Sequence, residues 1–202
     1  MNKSILIITG VVVLILGGSL IATIIMANTP QQPYTAIKKL GNIEIRYYPT
    51  AWLATVTSAE SSYKKSSSNN FRKLASYIFG GNQADKKIAM TAPVRMNFEA
   101  AESAMSFVMP EGYTMDNLPV PLSDEIQLHA SEAEYVAVLR FGGYASDTKI
   151  AEKKKQLFTE LDSLGINHNN TVRYLGYNAP WDFLFRRNEV VASISMEDAL
   201  IE

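Results

Sequence analysis

Four methionines, Met90, Met96, Met105 and Met109, fall in two neighbouring stretches, "KIAMTAPVRM" and "AMSFVMP". Methionine is unbranched and polarizable, so this cluster suits an adaptable binding wall or a gap-filled core, and core is the better reading. Histidine, the commonest general base and metal ligand, occurs only twice. His129 alternates out of phase with Ile126 and Leu128 and is expected to face solvent; His168 lies in the polar loop "NHNN". Cysteine is absent, which excludes disulfides, thiolate metal sites, cysteine nucleophiles and CxxCH haem attachment. No GxSxG elbow, HExxH, P-loop or GxGxxG occurs. A nucleophile triad would need His129 or His168, and neither has a recognisable partner. Asp124, Glu125 and Asp182 read as turn and loop residues. Catalysis is therefore not favoured.

The elements that must position these groups come in two similar sets. In the first, "IEIRYYP" and "AWLATVTS" are strands joined by a turn at Pro49 and Thr50. A polar stretch, "SSYKKSSSNN", leads into a helix whose Phe71, Leu74, Ala75 and Ile78 recur at helical spacing, with Gly80 and Gly81 as its stop. "KIAMTAPVRM" and "AMSFVMP" follow as strands. The former places Ile88, Met90, Ala92, Val94 and Met96 on one face. Pro93 cannot donate to a ladder, so it marks a corner where pairing fails. The second set repeats the order with "IQLHA", "YVAVLRFGG", a helix "DTKIAEKKKQLFTELDSLG", "VRYLGYNAPW" and "NEVVASIS". Ser146 is that helix's expected N-cap and Gly165 its stop. Ile150, Leu157, Phe158, Leu161 and Leu164 form its buried stripe. "MTAPV" and "YNAPW" occupy equivalent places, which makes Pro180 the second corner. The pattern implies a duplicated α+β domain of strand-strand-helix-strand-strand halves, with eight strands curling into a barrel-like sheet and a cleft between the halves.

The chain has 202 residues, with 19 basic and 20 acidic side chains, so nothing electrostatic points to nucleic acid. Residues 5–27, "ILIITGVVVLILGGSLIATIIMA", carry no charge. A helix of that length reaches roughly 34 Å, enough for a hydrocarbon core of about 30 Å. The length favours an uncleaved transmembrane anchor; a cleaved signal peptide is the alternative. Lys3 precedes the run and no charge follows until Lys38, so residues 1–4 are expected in the cytoplasm and the rest on the periplasmic or extracellular side. Residues 28–33 then form a linker, 34–195 the folded domain and 196–202 an acidic tail expected to fray.

The stretches "IEIRYYPTAWLATVT", "FRKLASYIFGGN", "KIAMTAPVRM", "SFVMP", "LPVPLSDEIQLH", "VAVLRFGGYAS" and "FRRNEV" resemble, in the same order, the SOUL haem-binding family. The resemblance covers nearly all of residues 34–195, and "IAMTAPV" with "RRNEV" are its most specific parts. It implies a distorted eight-stranded antiparallel barrel flanked by two helices, similar in shape to bacterial effector-binding domains that take up flat, aromatic, often cationic molecules. It also implies non-covalent binding of haem or another tetrapyrrole. In some relatives a histidine in the first strand has been proposed as axial ligand; that position is Tyr47 here. Tyr47 alternates with Ile43 and Ile45, so a core tyrosine is the simpler reading. Other relatives hold the ligand in an apolar cleft against the first helix, with basic groups near the propionates and no obligatory protein ligand. On that basis the binding residues are Tyr47, Phe71, Arg72, Lys73, Leu74, Ile78 and Met90. Arg72 and Lys73 would replace basic residues that some relatives carry where this chain has Ser68 and Ser76. Arg186 and Arg187 are either a propionate clamp or structural partners of Glu189 and nearby carbonyls.

The functional expectation is a membrane-anchored, externally facing haem or tetrapyrrole binder acting as carrier, buffer or sensor. Its rivals are a module for other amphipathic aromatic molecules and a tethered protein-interaction domain without a small ligand.

Overall fold

The computed structural model describes residues 29–60, 62–98, 102–179, 182 and 186–200. Nine strands follow one another as β1 (Thr35–Leu40), β2 (Ile43–Tyr48), β3 (Trp52–Ser58), β4 (Val94–Phe98), β5 (Ser103–Val108), β6 (Ile126–Ala130), β7 (Glu134–Phe141), β8 (Arg173–Gly176) and β9 (Asn188–Ile194). Helix α1 (Tyr63–Ile78) falls between β3 and β4, α2 (Asp147–Ser163) between β7 and β8, and α3 (Met196–Leu200) after β9. All strands join one antiparallel sheet in the order β1-β2-β7-β9-β8-β4-β5-β3-β6. β1 and β6 are its free edges, so the sheet is open where a closed eight-stranded barrel was expected.

The duplication is visible in that order. Without β1, exchanging β2 with β6, β3 with β7, β4 with β8 and β5 with β9 returns the same sequence of neighbours reversed. The β4–β8 pair therefore lies on a pseudo-twofold axis, and each half lends its first strand to the other. β1 stands outside the repeat. Its "TAIKKL" is mostly exposed and lacks the alternation that marks a half-buried strand. It forms because Gly41, at φ +58°, turns the chain into a tight hairpin with β2.

One face of the sheet carries the helices. α1 packs on β3 and β5, and α2 on β7 and β9. Between them Ile43, Ile45, Leu74, Met96, Leu157 and Leu161 are fully buried. Met105 and Met109 join this core and Met90 packs half-buried against it, so the methionine cluster is mainly core. The opposite face has a smaller core of Tyr48, Val136, Val138, Leu175, Tyr177 and Val191.

"KIAMTAPVRM" is a strand only from Val94 onward. Before it, the Thr91 hydroxyl donates to the Val108 carbonyl, and Ala92 is paired with the incoming chain instead of a strand. The Ala92 amide donates to Pro30 O at 2.8 Å and its carbonyl accepts from Gln32 N at 2.8 Å. Pro93 is itself buried and stands immediately before the ladder begins. Pairing does fail up to Pro93, although the segment is packed on both sides. Pro180 lies outside the described residues.

Three further expectations change. Leu164, expected in the buried stripe of α2, is instead its C-cap and 45% exposed. α1 begins inside the polar stretch, at Tyr63, because a side chain from the other half caps it. Asp147 accepts from the Tyr63 amide at 2.7 Å, the Ser62 hydroxyl at 3.0 Å and the Lys64 amide at 3.4 Å. The tail does not fray over residues 196–200: Ser195 accepts from the Asp198 amide at 3.0 Å, and Ala199 is fully buried. Ser146 caps α2 as expected, accepting from the Lys149 amide at 3.2 Å, with Gly165 at φ +68° beyond its end. Among the described residues no helix is long and apolar enough to cross a membrane. The run 5–27 lies outside them.

Candidate ligand groove beside the first helix

α1 is amphipathic, and its two faces do different things. Leu74, Tyr77 and Ile78 are buried beneath it, and Phe71 meets Phe107 edge-on at 5.2 Å between centroids. The outer side of its last turns carries Asn69, Arg72, Lys73 and Ser76, which line a groove of about 530 Å³ with Gly81, Leu122, Ser123 and Ile126. That volume is within the range of about 300–1,000 Å³ common to ligand sites.

Local chemistry shapes this groove. α1 ends in a Schellman turn: the Gly81 amide donates to Ser76 O at 2.8 Å, that of Gly80 to Tyr77 O at 3.4 Å. Gly80 adopts φ +116°, and a Cβ on Gly81 would lie 2.7 Å from Ser76 O, so the close turn needs glycine at both places. The following loop is tied by Asn82, whose side chain donates to Tyr77 O at 3.0 Å and Lys86 O at 2.7 Å and accepts from Lys86 N at 3.0 Å. Leu122 and Ser123, at the end of segment 118–123, form the far wall with Ile126. The segment is held by Gln83 N to Val120 O at 2.9 Å, Leu122 N to Gly81 O at 3.1 Å and an Asn82–Pro121 bridge.

Leu122 on the lining is 67% exposed, and Phe79 at 62% and Val120 at 54% are exposed in the segments that flank the groove. Exposed large apolar side chains grouped along a surface are a mark of interaction sites. Arg72 stands on the groove with no carboxylate within ion-pair distance among the described residues. Lys73 is paired with Glu125. Tyr77 supplies part of the floor, and its hydroxyl donates to Pro119 O at 2.9 Å. Burial, with Tyr113 adding to it, pushes the Tyr77 hydroxyl up to about 12, so it stays protonated. No histidine lines the groove. The groove thus combines the polar Asn69, Ser76 and Ser123 with the exposed Leu122 and the cation Arg72.

Of the seven residues expected at the site, Arg72 and Lys73 line this groove. Phe71, Leu74 and Ile78 pack inward from the same helix into the core. Met90 also packs against that core. Tyr47 sits on β2, in the far half of the sheet, half-buried against Tyr135 at 5.1 Å. The structure does not bring Tyr47 to α1. Leu122, Val120 and Phe79 escaped sequence reasoning because they lie on loops, where periodicity carries no signal. His129 is exposed, hydrogen-bonded to Thr55 at 2.9 Å. The His168 side chain is only 7% exposed, stacked on Phe158 at 4.2 Å and bonded to Asp162 at 3.2 Å, so its loop position misrepresents it.

The second face holds a buried charge network. Glu189 accepts from Arg46 Nη1 at 2.8 Å and Nη2 at 3.1 Å, from Arg187 Nε at 2.9 Å and from the Tyr177 hydroxyl at 2.9 Å. Burial pulls the Glu189 carboxyl up, but Arg46 and Arg187 outweigh it and hold the group below the usual carboxylate range. Arg186 donates to the Ala179 and Asp182 carbonyls. Both arginines are engaged structurally, and neither lines the α1 groove.

Solved structures share this architecture. A hydrolase from Listeria innocua aligns at TM-score 0.56 and 7% identity, covering 83% of this chain and 94% of that one. The EcmrR C-terminal domain aligns at TM-score 0.53 and 9% identity, covering 80% and 98%. At such identities the likeness is one of fold alone. In sequence, Heme-binding protein 2 of Homo sapiens is 33% identical over 168 residues, 78% of this chain and 80% of that protein. With the SOUL heme-binding protein family matching across residues 29–193, the chain belongs to that family.

Proposed function

We propose that the protein binds haem or a related tetrapyrrole non-covalently in the α1 groove, as an externally displayed, membrane-tethered carrier, buffer or sensor. The observation that carries this reading is the groove's composition: the exposed Leu122 beside Arg72, which has no ion pair among the described residues, in a chain of a haem-binding family. Leu122, exposed on the lining, offers apolar surface to a macrocycle, and burial contributes about 25 cal/mol per Å². Arg72 offers two parallel N–H donors to a propionate. Lys73 would have to release Glu125 to do the same. Bound haem would supply its iron chemistry; the protein's residues hold and orient it. With neither histidine on the groove and Tyr77 protonated, retention rests on burial and propionate pairing.

The test is hemin titration of the full chain in lipid nanodiscs, referenced to empty nanodiscs. A saturable one-to-one Soret shift is expected. Arg72→Ala and Leu122→Asp should each weaken binding by about 1–3 kcal/mol, the scale of one charge-assisted bond or one buried apolar side chain. His129→Ala and His168→Ala should leave the Soret band unchanged. Loss of the band in either histidine variant would replace burial by axial ligation.

A further inference from the structure

Residues 28–33 read as a linker, but the structure leaves almost none of it free. Pro30 and Gln32 are hydrogen-bonded to Ala92, and the Gln32 carbonyl oxygen Oε1 accepts from Arg95 Nη2 at 2.6 Å. Gln31 accepts from Arg187 at 3.3 Å. Tyr34 meets Tyr48 at 5.4 Å and lies under Arg46. The chain is therefore part of the domain from about Thr29, and only Asn28 separates it from the end of the apolar run at Ala27. Two Cα–Cα steps span at most about 8 Å. If residues 5–27 anchor the chain, the surface around residues 29–32 sits among lipid headgroups.

A short segment connects that surface with the end of α1 beside the groove. Segment 87–92 joins the two: Lys87 is bridged to Phe79, Ile88 N donates to Ile78 O at 2.8 Å, and Ala92 holds the entering chain. Lys86 Nζ lies 5.0 Å over the Tyr113 ring, and the loop of Tyr113 lines, with residues 30–33, a cavity of about 630 Å³. Four residue steps separate Ile88, bonded to the end of α1, from Ala92, so the C-terminal end of α1 lies within about 14 Å of the backbone that holds the entering chain. Exposed there are Phe79, Val120 and Leu122, flanked by the exposed Lys86, Lys87 and Arg72. Asp85 lies against Gly80 and Glu125 pairs with Lys73, so both signs of charge border these side chains; exposed bulky apolar side chains beside lysine and arginine match the acyl–headgroup boundary of a bilayer.

We infer that this end of the domain docks on the bilayer, with Phe79, Val120 and Leu122 entering the headgroup region, so that the α1 groove opens toward the lipid and takes its ligand from the membrane. The inference rests on the tethered tetrapyrrole reading above. It names the ligand class of the site as membrane-partitioned, amphipathic and anionic.

The chain contains no cysteine, so single nitroxide labels can be placed cleanly. Labels at Val120→Cys, Leu122→Cys, Lys65→Cys and Leu16→Cys, in full chain in phosphatidylcholine–phosphatidylglycerol nanodiscs, are read by power-saturation EPR with oxygen and a nickel chelate. Lys65 lies in the first turn of α1, about 21 Å along the helix from Phe79. The expected result is bilayer accessibility at positions 120, 122 and 16, and aqueous accessibility at 65. Aqueous signals at 120 and 122 with position 16 in the bilayer overturn the docking and leave the tether standing. An aqueous signal at 16 removes the tether and the docking together, while hemin titration decides haem binding separately. In a second assay, Leu122→Asp should slow haem uptake from hemin-loaded vesicles several-fold more than uptake from aqueous hemin; equal slowing on both routes also overturns the inference.

Discussion

Glu189 is the most constrained single residue of the domain, fully buried between Arg46, Arg187 and Tyr177. Removing one partner of a buried charge pair strands the others, which costs about 3–5 kcal/mol. Glu189→Gln should lose that much in urea melts at pH 7. The sign with pH follows from the depressed carboxyl. Its stabilisation is complete above the unfolded carboxylate value of about 4.3 and is lost as pH falls through the lower folded value. The gap between wild type and Glu189→Gln should therefore narrow in acid; a constant gap down to pH 2 would show that ionisation is not the source. Tyr77 gives a complementary check: with its hydroxyl held up at about 12, Tyr77→Phe and wild type should show the same phenolate absorbance change on ultraviolet titration up to about pH 10.

At the scale of elements, α1 depends on a cap supplied from the opposite half. Asp147 accepts three hydrogen bonds around Ser62, Tyr63 and Lys64 while standing at the first residue of α2. Slight burial works to raise its carboxyl, but the bonds from Tyr63 and Ser62 prevail and hold it low. Asp147→Ala should cost about 0.5–2 kcal/mol, the range of a lost N-cap, and amide exchange should rise first at residues 63–66. Exchange confined to α2 would mean that the cap serves α2 alone. At the other end of α1, Gly81→Ala would set its Cβ against the Ser76 carbonyl. This variant should disturb the groove wall at Leu122 as well as the helix, so hemin affinity should fall along with stability.

The whole molecule combines two halves that exchange strands. Because β2 pairs with β7 and β6 with β3, neither half closes its own sheet, and urea unfolding should be a single cooperative step at all probes. An intermediate retaining only one half would contradict this exchange. Topology is tested by protease added to intact cells or spheroplasts. The domain should be digested from outside, and protection until lysis would place it in the cytoplasm.

Local sequence located β2, β3, β5, β6, β7, β9, the core face of α1 and the caps of α2, because alternation, apolar runs, helical spacing and cap-residue chemistry are each set by neighbouring residues. The order of those elements also carried the duplication. Strand pairing did not follow from any of this: β2 with β7 and an open edge at β6 depend on which halves meet, and alternation is identical in an open sheet and a closed barrel. Asp147 capping α1, Ala92 paired to residues 30–32 and the exposed group of Phe79, Val120 and Leu122 join residues distant in the chain or on loops without a period. "RRNEV" was legible as a motif with two readings. The choice between clamp and buried pair was made only by the fold, which packs β9 against β7 and β8 with β2 beyond β7, and so sets Glu189 between Arg46 and Arg187.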